Sequence, residues 1–232
     1  MQDNDIQALV AYCKSNLDLA SLDISEEYHY QSLPLCVIDA VYSINSNYTS
    51  TQNVVSRFCT RLGLHKICEI HPPPIADQLS ITDFITFQNQ HGVTEMATAI
   101  YCNRQRTSTR NGILKAEAVL HFSKALQNFE VEYFQDVHKV LGNAAFESAI
   151  QKIPGQSSGI SLRYFYMLAG SSDYIKPDRM VFRFIESAIH RVPSIEECHT
   201  ALVEVSRILG DEHARLSPRT LDNLIWKQQR AQ

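Results

Sequence analysis

The sequence predicts an all-α protein with about ten helices and little or no sheet. Apolar residues recur every three or four positions in most segments, as in Val55, Phe58 and Leu62, and this spacing places them on one face of a helix. No segment alternates apolar and polar residues for long enough to predict a strand. Glycine, serine and proline stand where the periodic segments begin and end, which is typical of helix boundaries.

The first clearly amphipathic helices have hydroxyl residues at their start and glycine at their end. Ser50 or Thr51 is expected to cap one helix, which ends at Gly63, because a side-chain oxygen can accept a free backbone N–H there. Ser80 or Thr82 is expected to begin the next one, which stops at the following glycine.

The middle of the chain continues the same pattern after one interruption. The run His71-Pro72-Pro73-Pro74 predicts a rigid loop, because consecutive prolines do not fit a helix. Gly112 precedes a long amphipathic helix that reaches about Asn128, and Gly142 closes a shorter one that carries Phe134.

The second half of the chain has equally clear boundary signals. Asp178 follows Pro177 and is a natural N-cap, Ser194 begins a helix, and Pro218 stands in a first turn, where proline is favoured. The predicted helices here span residues 143–152, 159–169, 179–190, 194–210 and 218 onward.

Length and charge limit the class of protein. A chain of 232 residues can bury a core as one domain or as two small intertwined ones. The net charge of −4 argues against a protein that coats nucleic acid, but residues 151–193 hold six basic and three acidic residues. Residues 103–116 hold three arginines, one lysine and no acid. These positive faces fit docking on a phosphate backbone at one place, or solvated helix surfaces.

Cysteine usage and hydropathy predict the compartment. The six cysteines are scattered through the chain, which favours a reducing setting over a disulfide scaffold. No apolar run approaches the roughly 20 residues of a membrane span, and the polar, acidic start of the chain does not resemble a secretory signal. We expect a cytoplasmic monomer without membrane association, nucleoid-associated if it is bacterial.

Four residues of zinc-binding type lie close together in the sequence, namely Cys59, His65, Cys68 and His71. Their spacing is irregular, and Cys59 continues the apolar face of a predicted helix. We therefore expect buried cysteines here and no metal site.

A tight turn, Ile153-Pro154-Gly155-Gln156-Ser157-Ser158-Gly159, joins two of the predicted helices. A bend of this kind lets backbone N–H groups point outward at the start of the second helix, where they bind phosphate oxygens with help from the helix dipole. Such contacts carry no base preference. Glycine is expected because a side chain would block the approach of the phosphate. Turns of this kind also occur without any ligand, so the residues alone leave both interpretations open.

This hairpin and its surroundings resemble the helix-hairpin-helix DNA glycosylase superfamily, which includes endonuclease III-like, adenine-mismatch and alkylpurine glycosylases. The family hairpin is Leu-Pro-Gly-x-Gly, and Ile153-Pro154-Gly155-Gln156-Ser157 occupies those places, with Ser157 replacing the second glycine. The family then has an Asp before small or apolar residues and a Phe-Arg pair, similar to Asp178-Arg179-Met180-Val181-Phe182-Arg183. Gly112-Ile113-Leu114-Lys115-Ala116 is similar to its Gly-x-x-x-Lys-Ala helix start, within a residue of register. The resemblance covers about residues 33–190.

The resemblance implies a catalytic role for Asp178. Hydrolysis of the bond between sugar and base builds positive charge on the sugar, which a carboxylate stabilises while it orients or deprotonates water. Capping the helix and catalysis are compatible, because one oxygen can cap while the other faces the substrate. Some family members use a lysine that forms a Schiff base with the sugar, and Gly159 stands at its place. No cysteine follows Cys198, so the family's C-terminal iron–sulfur cluster is not expected, and no cofactor is predicted.

The remaining candidate residues come from the same resemblance. Double-stranded DNA is the expected partner, held by Gly155, Gln156, Ser157, Ser158 and Gly159. Lys115 is a further candidate for DNA binding, and Asn45 is expected to fill the space left by a flipped base. Tyr42, Tyr48 and Tyr164 are candidates for stacking on that base, although aromatic residues on helices more often belong to the core.

These expectations combine into one architecture and three functional hypotheses. The predicted architecture has two lobes, residues 32–172 ending in the hairpin, and residues 1–31 with 173–232. The main hypothesis is a monofunctional DNA glycosylase that removes a damaged or modified base without cutting the strand. The alternatives are a non-catalytic helix-hairpin-helix DNA-binding protein and an all-helical interaction protein with no role on DNA. The base is left open among uracil, an alkylated or oxidised purine and a bulky modified cytosine.

Overall fold

The computed structural model describes residues 1–20 and 29–231, and within them the protein is all-α, as the sequence predicts. Extended pairing in these ranges is limited to two isolated bridges, Tyr30 with Ile67 and Arg106 with Leu114. None of the helices in the described part of the chain has both the length and the apolar character required to span a bilayer.

Ten α-helices lie within the described residues. In chain order they are α1 (Asp3–Asn16), α2 (Leu33–Tyr42), α3 (Tyr48–Leu62), α4 (Ile81–Glu95), α5 (Lys115–Asn128), α6 (Ala144–Gln151), α7 (Ile160–Leu168), α8 (Arg179–Ile189), α9 (Ile195–Gly210) and α10 (Pro218–Ala231). Two short 3₁₀ segments, Ile75–Asp77 and Phe134–Lys139, and a π-helical turn, Met96–Ile100, complete the helical structure of these ranges.

The chain divides into two compact units. The terminal unit consists of Met1–Ser25 and Ser171–Gln232, and the central unit consists of Glu26–Gly170. The terminal unit therefore contains α1 and α8 to α10, whereas the central unit contains α2 to α7.

Helix α2 forms the core of the central unit. All ten of its residues are buried, as expected for a helix that is apolar on every side. It packs against α3, α5 and α7, while α4 packs against α5. This arrangement brings the long α5 and the hairpin helix α7 onto the same central helix.

The core of the terminal unit lies between four helices. Helices α1 and α10 each pack against both α8 and α9. Helix α8 buries Val181, Phe184, Ile185 and Ala188, which recur at the three- and four-residue spacing of one helix face. Its other face is left for polar side chains, which is the amphipathic pattern that the sequence indicates.

Several predicted helix ends are confirmed. Asp178 caps α8, and Ser194 caps α9 in a reciprocal pair with Glu197. Gly63 ends α3 with a left-handed backbone, φ 65°, which glycine adopts without steric penalty. Pro218 is the first residue of α10.

The predicted cap of α3 is wrong. Asn47 is the N-cap, and its side-chain oxygen accepts the N–H of Ser50 at 2.7 Å. The helix therefore begins earlier than a cap at Ser50 or Thr51 implies. Asparagine caps helices as well as serine does, and several polar residues in a row here made the sequence signal ambiguous.

One further boundary agrees with expectation and one segment differs from it. Helix α5 runs from Lys115 to Asn128, after Gly112 as expected, and the loop before it closes on itself through the N–H of Lys115 and the carbonyl of Gln105, 2.9 Å. The segment around Phe134 is a 3₁₀ helix, Phe134–Lys139, since it closes with a bond from the N–H of Val140 to the carbonyl three residues earlier, 3.1 Å.

Candidate functional site

The hairpin between α6 and α7 is a compact turn held by its own backbone. Ile153 is buried and anchors the turn in the core of the central unit. The N–H of Gln156 donates to the carbonyl of Ile153 at 2.9 Å, and the N–H of Gly159 donates to the carbonyl of Gln156 at 3.0 Å. Gly159 is the N-cap of α7 with φ 72°, a left-handed conformation suited to glycine.

Three backbone N–H groups of the hairpin have no acceptor among the described residues. They belong to Gly155, Ser157 and Ser158, and all three residues are exposed. These donors stand just before the first turn of α7, whose own leading N–H groups carry the positive end of the helix dipole. The turn can therefore bind an anionic oxygen without breaking any bond of the fold.

The other two hairpin candidates support the turn from inside. Gln156 is 2% exposed, and its side-chain carbonyl accepts the hydroxyl hydrogen of Ser161. Gly159 is buried as well. Of the five residues predicted to bind DNA in this turn, three lie on the surface and two hold its shape.

Gly155 lies against a neighbouring loop of the protein itself. Its φ is 84°, and a Cβ at this position would lie 2.4 Å from the Cβ of Thr107. That distance is far below van der Waals contact, so any side chain here collides with a neighbouring loop of the same unit. The other expected reason for glycine, room for an approaching phosphate, stays a prediction.

Thr107 belongs to a basic segment, residues 103–115, which we call the arginine loop. The N–H of Thr107 donates to the carbonyl of Ile113 at 2.9 Å, and a bridge between Arg106 and Leu114 continues this pairing. The guanidinium of Arg106 also donates to the carbonyl of Gly112. The loop is thereby held in one conformation beside the hairpin.

Lys115 lies at the end of this loop and is buried. It is 3% exposed, and its ammonium donates to the carbonyls of Tyr42 at 2.9 Å and Ile44 at 2.7 Å and to the side chain of Gln105 at 3.1 Å. These acceptors take up the three donors of the ammonium group. The structure therefore places Lys115 among protein oxygens, and phosphate contact would require these bonds to break.

The candidates for base recognition differ in exposure. Asn45 is exposed just after α2 with a left-handed backbone, φ 51°, and Tyr48 is half-buried at the start of α3. Tyr42 and Tyr164 are 1% and 5% exposed. Their rings lie inside the central unit, so Asn45 is the most accessible of these residues.

Tyr164 belongs to a buried polar group that the sequence analysis missed. Asp39 is 1% exposed, and its carboxylate accepts the hydroxyl of Tyr30 at 2.7 Å and that of Tyr164 at 3.4 Å. The amide of Gln52 donates to the Tyr30 hydroxyl at 3.1 Å. A lone acid in the otherwise apolar helix α2 was a visible signal, because buried carboxylates require such partners.

Asp178 lies in the terminal unit, half-buried at the N-terminus of α8. Its Oδ1 accepts the N–H groups of Met180 at 2.8 Å and Val181 at 3.4 Å. Its Oδ2 accepts no hydrogen bond from the described residues. One oxygen therefore caps the helix while the other is left for a further partner.

A second acid, Asp222 on α10, acts electrostatically on the same region and was also missed. It is 6% exposed and accepts the N–H of Lys176 at 3.0 Å. Burial, and then the negative charge of Asp178, raise its pKa to about 7. Asp222 stands three residues before the buried Ile225 on α10, and this helical spacing was the available sign of its burial.

The four residues of zinc-binding type do not form a ligand cluster. No group of three or more His, Cys, Asp or Glu side chains in the described ranges is arranged to hold a metal ion. Cys59 is buried, and burial raises the pKa of its thiol to about 11. The thiol of Cys68 bonds to the carbonyl of His29 at 3.3 Å and lies 3.9 Å from Nδ1 of His71.

Comparison with known proteins places almost the whole chain in one family. A family model described as a domain of unknown function, DUF8548, matches residues 7–230. The chain belongs to this family. No curated protein and no solved structure matches the sequence.

Proposed function

We propose that the protein is a monofunctional DNA glycosylase with a two-lobed, helix-hairpin-helix glycosylase-like fold. It hydrolyses the bond between the sugar and a damaged or modified base that has left the DNA stack. The observation that carries this proposal is the hairpin with its three exposed and unbonded N–H groups, at Gly155, Ser157 and Ser158. The half-buried Asp178, with one uncommitted carboxylate oxygen, supplies the chemical group.

In the proposed reaction, the bond between C1′ of the sugar and the base nitrogen breaks, and its electron pair leaves with the base. Water adds to C1′ and loses a proton to the carboxylate of Asp178, while the departing base takes up a proton from solvent. The carboxylate also stabilises the positive charge that develops on the sugar. The cap bonds from Met180 and Val181 hold this carboxylate in place without occupying Oδ2.

The proposed enzyme does not cut the strand. A strand-cutting relative uses an amine to form a Schiff base, and the corresponding position is Gly159, a buried residue that closes the turn. The product is therefore an intact strand with an abasic site. Such a strand can be broken at the abasic site by treatment with alkali.

The target base must leave the stack first, at an expense of a few kcal/mol. Asn45 is exposed at the end of α2 and is the residue proposed to fill the vacated space. A damaged or mispaired base leaves most readily, which provides part of the selectivity.

A second candidate function is a non-catalytic helix-hairpin-helix DNA-binding protein. The burial of Tyr42 and Tyr164 favours it, because neither ring offers an open face for an extruded base. Such a protein would keep the phosphate-binding turn and release no base.

The test uses duplexes that carry uracil, an alkylated purine, an oxidised purine or a bulky modified cytosine, followed by alkaline cleavage of abasic sites. We expect Asp178→Asn to abolish base release and to preserve duplex binding, since asparagine still caps the helix. Asp173→Asn removes an exposed acid from the same unit and is expected to release base like the wild type.

Two results would contradict the proposal in different ways. Base release by Asp178→Asn at the wild-type rate excludes the mechanism. Duplex binding by the wild type without an abasic product from any substrate favours the non-catalytic alternative.

A further inference from the structure

We infer that the arginine loop and the hairpin form one composite surface that holds the sugar–phosphate backbone of duplex DNA. Arg104 and Arg110 of the loop are its cationic contacts. This inference rests on the DNA-binding part of the proposed function and is independent of any chemistry on the base.

The first support is the contact between the two segments. The position of a Cβ on Gly155 lies 2.4 Å from the Cβ and 2.7 Å from the hydroxyl oxygen of Thr107. The loop therefore rests directly on the bend that presents the free N–H groups. A phosphate bound at this bend lies beside the arginine loop.

The second support is the charge of the two segments. Residues 103–116 and 148–172 contain no acid. The side chains of Arg104, Arg110 and Lys152 are exposed, and none of them has a salt-bridge partner within residues 1–20 and 29–231. Arginine guanidinium groups pair with phosphate in a planar, two-bonded geometry.

The third support is the rigidity of the loop. Its base is fixed by Arg57, whose guanidinium donates to the carbonyls of Tyr101 at 3.1 Å and Cys102 at 3.3 Å. Its other end is fixed by the buried ammonium of Lys115, which bonds to Gln105. A loop that is already ordered loses little conformational entropy when it binds, so its arginines retain most of their contact energy.

The absence of aromatic residues favours duplex DNA over a single strand. Residues 103–116 and 152–159 contain no Phe, Tyr, Trp or His. Proteins that bind single strands rely on aromatic side chains for base stacking, whereas N–H groups and guanidinium groups suffice for a duplex backbone. The surface is therefore expected to bind duplexes of different sequence almost equally.

The first experiment measures binding of the full chain to an undamaged, fluorescent duplex by anisotropy at several salt concentrations. Arg104→Ala with Arg110→Ala is expected to weaken binding about tenfold and to reduce the salt slope by about 2, since each lost phosphate contact lowers the slope by roughly 1. Arg61→Ala, an exposed arginine on α3, is the matched control and is expected to bind like the wild type.

The second experiment tests whether DNA binding depends on the packing of the arginine loop against the hairpin. Gly155→Ala is expected to weaken duplex binding, because the new methyl group displaces Thr107. Thr107→Gly removes the colliding side-chain atoms, so the double variant is expected to regain part of the affinity, while the left-handed backbone at position 155 keeps the rest of the loss. A double variant that binds DNA no better than Gly155→Ala would show that the contact with Thr107 does not set the affinity, and the composite surface would be excluded.

The remaining outcomes separate this inference from the proposed function. Wild-type affinity in the double arginine variant overturns the inference and leaves the glycosylase proposal standing. A loss of affinity for single-stranded DNA or for duplex RNA, with duplex DNA unaffected, overturns the choice of partner. If the arginine and Gly155 variants weaken duplex binding as expected, but the wild type releases no base, the result supports the composite surface and counts against the glycosylase proposal.

Discussion

Each unit of the molecule buries side chains able to carry a charge, and the surroundings of Lys115 in the central unit differ from those of Asp222 in the terminal unit. In the central unit, the ammonium of Lys115 donates to three oxygens, those of Tyr42, Ile44 and Gln105. In the terminal unit, the carboxyl of Asp222 accepts the N–H of Lys176 and experiences the like charge of Asp178. The positive charge of Lys115 is stabilised by these oxygens. The negative charge of Asp222 is disfavoured by the like charge of Asp178.

This difference shows what decides whether a buried group is structural or titratable. A buried cation with all its donors satisfied fixes the elements around it, here the end of α2 and the arginine loop. A buried acid near another acid retains its proton to higher pH. The terminal unit therefore contains a group that titrates near neutral pH, beside the candidate catalytic carboxylate.

The largest expected effect is the dependence of stability on pH that Asp222 introduces. Its pKa is about 7 in the folded protein and starts from 3.8, so the unfolded chain loses this proton at lower pH than the folded one. The contribution is fully present below about pH 4 and is lost as the pH rises to about 7, in total roughly 4 kcal/mol. Urea unfolding of Asp222→Asn between pH 4 and 8 is expected to lack this decline.

The charged groups that act on Asp222 are Asp178, Lys176 and Arg219. Asp211→Asn, an exposed acid in the same unit, serves as the control and is expected to retain the wild-type pH profile. An Asp222→Asn profile parallel to that of the wild type would show that this carboxyl is ionised throughout.

The next largest effect is expected in the central unit, on removal of the buried ammonium of Lys115. Lys115→Met keeps most of the length of the side chain but leaves two carbonyls and one amide oxygen without their donor. Buried acceptors without partners are costly, so we expect a loss on the order of 3 kcal/mol in the free energy of unfolding. Urea unfolding is the measurement, with Lys124→Met at an exposed position of the same helix expected to change little.

A loss below about 1 kcal/mol in Lys115→Met, within the ordinary range of surface substitutions and single weak bonds, would mean that the three oxygens find other donors. The satisfied ammonium would then not be what orders the arginine loop.

The smallest effect is expected at a neutral helix cap. It provides a reference for the effects of the two buried charged groups. Ser194 caps α9, and its hydroxyl accepts the N–H of Glu197 at 3.1 Å. Ser194→Ala is expected to lower stability by about 1 kcal/mol, equally at pH 5 and pH 8, as measured by thermal melting. A loss that differs between pH 5 and pH 8 would contradict a cap that rests on the neutral hydroxyl of Ser194, since Glu197, whose pKa is lowered to about 2, stays ionised over this range.

The sequence predicts well whatever depends on a few neighbouring residues. Asp178, Ser194 and Gly63 were identified as helix ends because capping is decided within one turn. The all-α fold followed from periodicity for the same reason. The cap of α3 was missed by a few residues, since Asn47 competes with several other polar residues in one short stretch.

The features that the sequence did not predict depend on contacts between distant segments. Lys115 belongs to a basic run and was expected on the surface, yet it bonds to the end of α2. Asp222 is buried only because α10 packs against α8 and α9. The collision partner of Gly155 is Thr107 in another loop, and no local pattern identifies such a neighbour.

The close approach of Gly155 and Thr107 also restricts how this protein can diverge. Position 155 is closed to substitution while threonine stands at 107, and its left-handed backbone admits few side chains even when that space is vacated. A substitution at position 155 is therefore expected to be tolerated only together with a smaller residue at position 107. The side chain of Thr107 in one loop thus limits which residues the other loop accepts.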